Sequence, residues 1–76
     1  MENEVLNNKA IGQRLVSLRG NRTQEEVAKA LGISKSALCM YESGDRMPRD
    51  PIKLRIARYY GRSVPFIFFN PKDHEK

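Results

Sequence analysis

The sequence predicts an all-α domain of five short helices, and three features of the chain carry that reading. Apolar residues recur at three- and four-residue spacing, as at Ile11, Leu15 and Leu18. Successive runs stop at a glycine: Gly20, Gly32, Gly44 and Gly61. Nowhere do apolar and polar residues alternate as they would along a half-buried strand. The chain of 76 residues has room for one compact domain. At that size only ~60% of the unfolded surface is buried, so one small core must carry the fold.

The first amphipathic helix is expected over Ala10–Arg19, ended by Gly20-Asn21. Thr23-Gln24-Glu25-Glu26 then reads as a capping box. The Thr23 hydroxyl accepts from the Glu26 amide, while the Glu26 carboxylate reaches back to the Thr23 amide. This second helix turns Val27, Ala28 and Leu31 to one face and stops at Gly32. Ser34 caps a third, with Leu38 and Tyr41 inward and Gly44 at its end. Asp50-Pro51 reads as an N-cap followed by a proline at the first helical position. Ile52, Ile56, Ala57 and Tyr60 form the stripe of this fourth helix, and Gly61 closes it. Ser63 introduces the last, Val64-Pro65-Phe66-Ile67-Phe68-Phe69, which Asn70-Pro71 ends. Residues 1–8 are expected to be a flexible N-terminus, 9–70 the domain and 71–76 a flexible tail.

Lysine and arginine together number 14 against 9 acidic residues, a net charge of +5. The excess is concentrated between Lys9 and Arg62, where twelve basic residues face five acidic ones. Such a balance favours a polyanionic partner, nucleic acid or an acidic membrane surface. The single cysteine, Cys39, excludes an internal disulfide and a Cys-rich zinc cage. It reads as an inert thiol, and His74, alone in the tail, as no metal ligand. No run approaches the ~20 apolar residues that span a bilayer. Met1–Asn8, with Glu2 and Glu4, resembles no secretion signal, so a cytoplasmic, nucleoid-associated protein without a membrane partner is expected. No His/Cys/carboxylate constellation and no phosphate-cradling glycine loop suggests an enzyme or a cofactor.

Thr23–Glu42 is the informative stretch. Two short helices joined at Gly32 can cross steeply only if their contact point is small, and Ala28 supplies it, with Ile33 and Leu38 filling the angle. The N-terminal half of the third helix then projects outward, sized for a major groove about 12 Å wide. Thr23-Gln24-Glu25-Glu26-Val27-Ala28, Leu31-Gly32-Ile33-Ser34 and Tyr41-Glu42-Ser43-Gly44, in that order, closely resemble the phage-repressor (Cro/XRE) helix-turn-helix regulators. Pro51 and the terminal Val64, Ile67 and Phe68 extend the resemblance over roughly Ile11 to Phe68. The link Gly20-Asn21-Arg22 departs from the family by being short.

The resemblance implies a lambda-repressor-like domain that binds double-stranded DNA, and it assigns roles. Thr23 and Gln24, opening the second helix, match a phosphate-binding position, which the free amides of a helix N-terminus support. Ser34, Lys35, Ser36 and Met40 match base-reading positions. Lys35 can donate to guanine or pair with a phosphate, and Met40 can pack on a thymine methyl or cover the domain edge. Arg46 and Arg49, in the loop before Pro51, read as phosphate contacts that add affinity without sequence preference. Arg19 and Glu42 are implied to form a bidentate salt bridge that fixes the third helix against the first.

A single recognition helix reads too few base pairs for a regulatory site. Family members pair to meet successive grooves about 34 Å apart. The apolar run Val64–Phe69 is the surface left for a homodimer. Ile67 and Phe68 match inward positions, leaving Val64, Phe66 and Phe69 for the interface, unless all are core. The leading reading is a repressor that binds a palindromic operator as a dimer. The alternatives are an antitoxin-type autorepressor with a regulatory protein partner, and an interaction adaptor that has lost DNA binding.

Overall fold

The computed structural model describes residues 2–69, with side chains from residue 8 onward. It holds five helices: α1 (Glu2–Arg19), α2 (Gln24–Leu31), α3 (Lys35–Ser43), α4 (Asp50–Tyr60) and α5 (Val64–Phe68). No strand occurs among the described residues. The tail expected over 71–76, with His74, lies outside them.

The punctuation is realised through side-chain caps. Thr23 Oγ1 accepts from the Glu26 amide at 3.0 Å, and Glu26 Oε1 accepts from the Thr23 amide at 3.4 Å. Ser34 and Ser63 cap α3 and α5 by accepting from the amides of Ala37 and Phe66. Gly32 adopts the left-handed conformation, φ 74°, so that the Ile33 amide reaches back to the Ala28 carbonyl at 3.0 Å. That one reversal turns the chain from α2 into α3.

Two boundaries differ from expectation. α1 starts at Glu2 rather than Ala10. No glycine or proline interrupts residues 2–11. The N-cap of α4 is Arg49, without a side-chain bond, and Asp50 is the first helical residue. Its carboxylate still complements the dipole there, and it faces Lys53 Nζ at 3.7 Å.

The largest fully buried side chains are Leu15, Val27, Leu38, Ile56 and Ile67, one from each helix. All five elements therefore meet in a single core, which Ile11, Ala28, Leu31, Tyr41, Ala57 and Phe68 complete. Helices α2 to α5 are each too short to be stable alone in water, so they depend on that shared contact. Leu18, Ile33, Ile52 and Tyr60 pack on its margin. Among the described residues, no helix is long and apolar enough to cross a membrane.

α1 and α3 come into close backbone contact at Gly12. A Cβ built there would collide with the Glu42 carbonyl oxygen and lie 2.8 Å from its carbon and 3.0 Å from the Tyr41 carbonyl oxygen. Backbone cannot yield as a side chain can. Gly12→Ala is therefore expected to destabilise the domain by about 3 kcal/mol, at the top of the usual range for overpacking. Urea denaturation measures this, and a loss below about 1 kcal/mol would show that the helices can separate at little cost.

Candidate nucleic-acid interface

Position 42 is where the helices that display the interface are tied together. Tyr41 and Leu38 turn one side of α3 into the core, and the helical period carries Glu42 to its edge, against α1 and α2. The Glu42 side chain is 4% exposed, and both of its oxygens are engaged. Oε2 accepts from Arg19 Nε and Oε1 from Gln24 Nε2, each at 2.8 Å. The fork implied by the family resemblance is thus shared rather than bidentate, because the second arm of Arg19 is elsewhere: Nη1 donates to the Arg22 carbonyl at 2.8 Å. One guanidinium consequently fastens α3 and the short link before α2. The bond to Glu42 raises the Arg19 pKa above the ordinary arginine value.

The link is held from its outer side as well. The Arg22 guanidinium lies 5.3 Å from the Tyr59 ring centroid and 5.7 Å from that of Tyr60. At the other end of α2, Arg55 Nη1 donates to the Leu31 carbonyl at 3.1 Å, one of the acceptors a helix C-terminus leaves open. α4 thereby braces both ends of α2. None of Arg22, Arg55 and Gly12 stands out from its sequence neighbourhood, although a glycine inside a helical run is a recognisable signal of close packing.

The outward side of α3 carries Lys35, Ser36, Cys39 and Ser43, all exposed. Ser34 is exposed too, but its oxygen already accepts the capping bond, which leaves its hydroxyl proton to donate. Met40 is half-buried and sits at the margin of this face rather than on it. Cys39, read from the sequence as inert, takes the exposed position one turn after Lys35 and Ser36. Arg46 and Arg49 project from the loop after α3, and the Arg46 amide is anchored to the Met40 carbonyl at 3.3 Å. Thr23 is exposed at the start of α2, while the Gln24 amide is half-buried through its bond to Glu42 and keeps one further N–H.

On the far side, Ile67 and Phe68 are buried, whereas Phe66 and Phe69 are 43% and 60% exposed. Val64 is half-buried and packs on the margin of the core. Leu54 of α4, 57% exposed, adds to the exposed apolar surface. The groove between α4 and α5, of about 290 Å³, is lined by Asp50, Lys53, Leu54, Val64 and Phe69.

A short braced pair of helices, the second presenting a polar ridge beside basic loops, defines a helix-turn-helix protein. The family model described as helix-turn-helix matches residues 14–67. An uncharacterised HTH-type transcriptional regulator of Methanocaldococcus jannaschii is 34% identical over 53 residues, which are 70% of this chain and 80% of that protein. No solved structure matches the chain. The chain belongs to the Cro/XRE-type helix-turn-helix family of DNA-binding transcriptional regulators.

Two outcomes follow from the Glu42 junction. Glu42→Ala would leave Arg19 and Gln24 without their shared acceptor and is expected to cost about 3 kcal/mol while weakening DNA binding. Unchanged melting together with unchanged affinity would remove the junction from the account. Tyr60 gives the second. Its hydroxyl is buried with no hydrogen-bond partner among the described residues, and its pKa is pushed up to about 12, foremost by burial and further by the Glu42 charge. The folded state thus holds this proton more tightly than the unfolded chain, whose tyrosines titrate at about 10. The resulting stability is full below pH ~10 and drains away as pH rises through the folded value. Tyr60→Phe is expected to preserve stability at pH 8 and to flatten the loss above pH 10, as read by denaturation at both values. An equally steep alkaline loss in the variant would assign the effect to other groups.

Proposed function

We propose that this protein is a sequence-specific repressor that binds a palindromic operator as a homodimer. The observation that carries the reading is the outward ridge of α3. Its polar side chains are uncovered, while the opposite side of the same helix is locked into the core and, through Glu42, to Arg19 and Gln24. In this reading Ser34, Lys35 and Ser36 meet base edges, with Lys35 donating to guanine. Met40, at the margin, lies against a thymine methyl. Thr23, Gln24 and the free amides opening α2 hold one phosphate, and Arg46 and Arg49 hold others.

The fold supports this division of labour. Gln24 is fixed by Glu42, so a phosphate on its remaining N–H would sit in constant register with α3. In this reading two copies pair through Val64, Phe66 and Phe69, with Leu54 beside them, and their α3 ridges meet successive grooves about 34 Å apart. A dimer bound over a promoter excludes polymerase, which is the simplest regulation available to a domain of this size. The protein acts where the nucleoid is, in the cytoplasm.

Selection of bound duplexes from a random pool tests the reading. A palindromic consensus with half-sites one helical turn apart is expected, and recovery of no consensus would contradict it. Against that consensus, Lys35→Ala should lose about 1–3 kcal/mol and relax preference at one base position. Arg46→Ala and Arg49→Ala should each weaken all sequences alike and lower the salt slope by about 0.9. A changed preferred sequence in either arginine variant would contradict its phosphate role.

A further inference from the structure

α1 reaches the loop that follows α3 through a residue ahead of the span, 14–67, that matches the family model. Because α1 begins at Glu2, Lys9 is a helical residue, one turn before Gly12 and on the same side of the helix. Gly12 crosses the Glu42 carbonyl, and Lys9 crosses the glycine that ends α3. A Cβ built on Gly44 would lie 3.0 Å from Lys9 Cα and 3.2 Å from both Lys9 Cγ and the Asn8 carbonyl oxygen. The Lys9 stem is thus laid against the turn from which Arg46 departs. That turn is itself anchored, since the amides of Asp45 and Arg46 donate to the Met40 carbonyl at 3.0 Å and 3.3 Å.

The charge that Lys9 brings to this turn is exposed and has no ion-pair partner among the described residues. Asp45, the acid of the turn, is engaged by Ser43, whose hydroxyl donates to Oδ2 at 2.9 Å. Arg46 is exposed two residues beyond Gly44. Two peptide units cover at most about 7.6 Å, so the Cα atoms of Lys9 and Arg46 are no more than about 12 Å apart. That span covers only a few phosphates of one strand, which follow one another at about 3.4 Å along the axis. Exposure alone would not single out Lys9, for Lys29 is equally exposed, but Lys29 stands in the last turn of α2. We infer that Lys9 is a phosphate ligand of the DNA interface, carried by α1 and set beside Arg46 by the close contact at Gly44. The inference rests on the placement of the duplex against α3 and the loop after it, and it brings a third helix to the DNA. An ammonium on a flexible stem suits the task, because it acts as a point charge and needs no fixed fork geometry. A phosphate carries no sequence, so Lys9 adds affinity at every site alike.

Fluorescence anisotropy of two labelled duplexes, one recovered by selection and one of random sequence, tests this between about 50 and 200 mM NaCl. The natural chain is compared with Lys9→Gln, Lys9→Arg, Lys29→Gln and Arg46→Ala, and the melting of each is measured alongside. Lys9→Gln is expected to melt as the natural chain does, to bind both duplexes about fivefold more weakly at the lowest salt, and to lower the salt slope by about 0.9. Lys9→Arg should retain affinity and slope, and Lys29→Gln should leave the slope unchanged. An equal fall in slope for Lys29→Gln would reduce the effect to net charge and overturn the contact. Weaker binding by Lys9→Gln at an unchanged slope would make Lys9 a structural residue and overturn it as well. If Arg46→Ala lowers the slope and Lys9→Gln does not, the Lys9 contact alone fails. Unchanged slopes in both variants would place the duplex away from this loop and overturn the reading on which the inference rests.

Discussion

The recognition helix is held by a carboxylate that three parts of the chain share. Glu42 stands at the end of α3 with almost no access to water, and Arg19 and Gln24 both donate to it. A buried charge of this kind is expensive unless every lone pair is met. Satisfying it requires α1, the α1–α2 link and α2 to be in one arrangement only. Gly12 imposes the same arrangement sterically, since α1 can approach the Glu42 carbonyl only where a side chain is missing. Charge and shape specify one crossing of α1 over α3, and the outward direction of the ridge follows.

That arrangement explains how so small a core can present a precise surface. Only one large side chain per helix is fully buried, yet α2 is braced at both ends from α4, by Arg22 stacking on Tyr59 and Tyr60 and by Arg55 on the Leu31 carbonyl. The residues that face outward have little to do with stability. Lys35, Ser36 and Cys39 are exposed and free to vary, because the opposite side of α3 supplies the packing. Tyr60 shows what this close packing entails: its ring completes the margin of the core while its hydroxyl goes without a partner among the described residues.

The local elements were legible because their signals are local. Thr23 with Glu26, Ser34 and Ser63 each cap within three residues, and Gly32, Gly44 and Gly61 take left-handed turns that other residues resist. The core side of each helix was readable from its period for the same reason. Long-range features were not. Gly12 is an unremarked glycine until α3 is laid across it, and nothing in the sequence joins Gln24 to Glu42, the distant carboxylate to which its amide donates. Arg49 took the cap position from Asp50, since a proline is equally content one residue further into the first turn. Leu54 escaped notice because it lies off the stripe of its own helix and gains meaning only beside Phe69.

The account stands on the outer side of α3 being the surface that enters a groove, and Cys39 provides a chemical probe at its centre. Its thiol is the single cysteine of the chain and is exposed, so a maleimide should modify it readily in the free protein. Modification kinetics with and without saturating operator duplex give the most direct measurement. The expected result is a rate at least tenfold slower on DNA, together with loss of DNA binding once the thiol carries the bulky adduct. Equal rates in the free and bound states, with binding intact after modification, would place the duplex on some other surface.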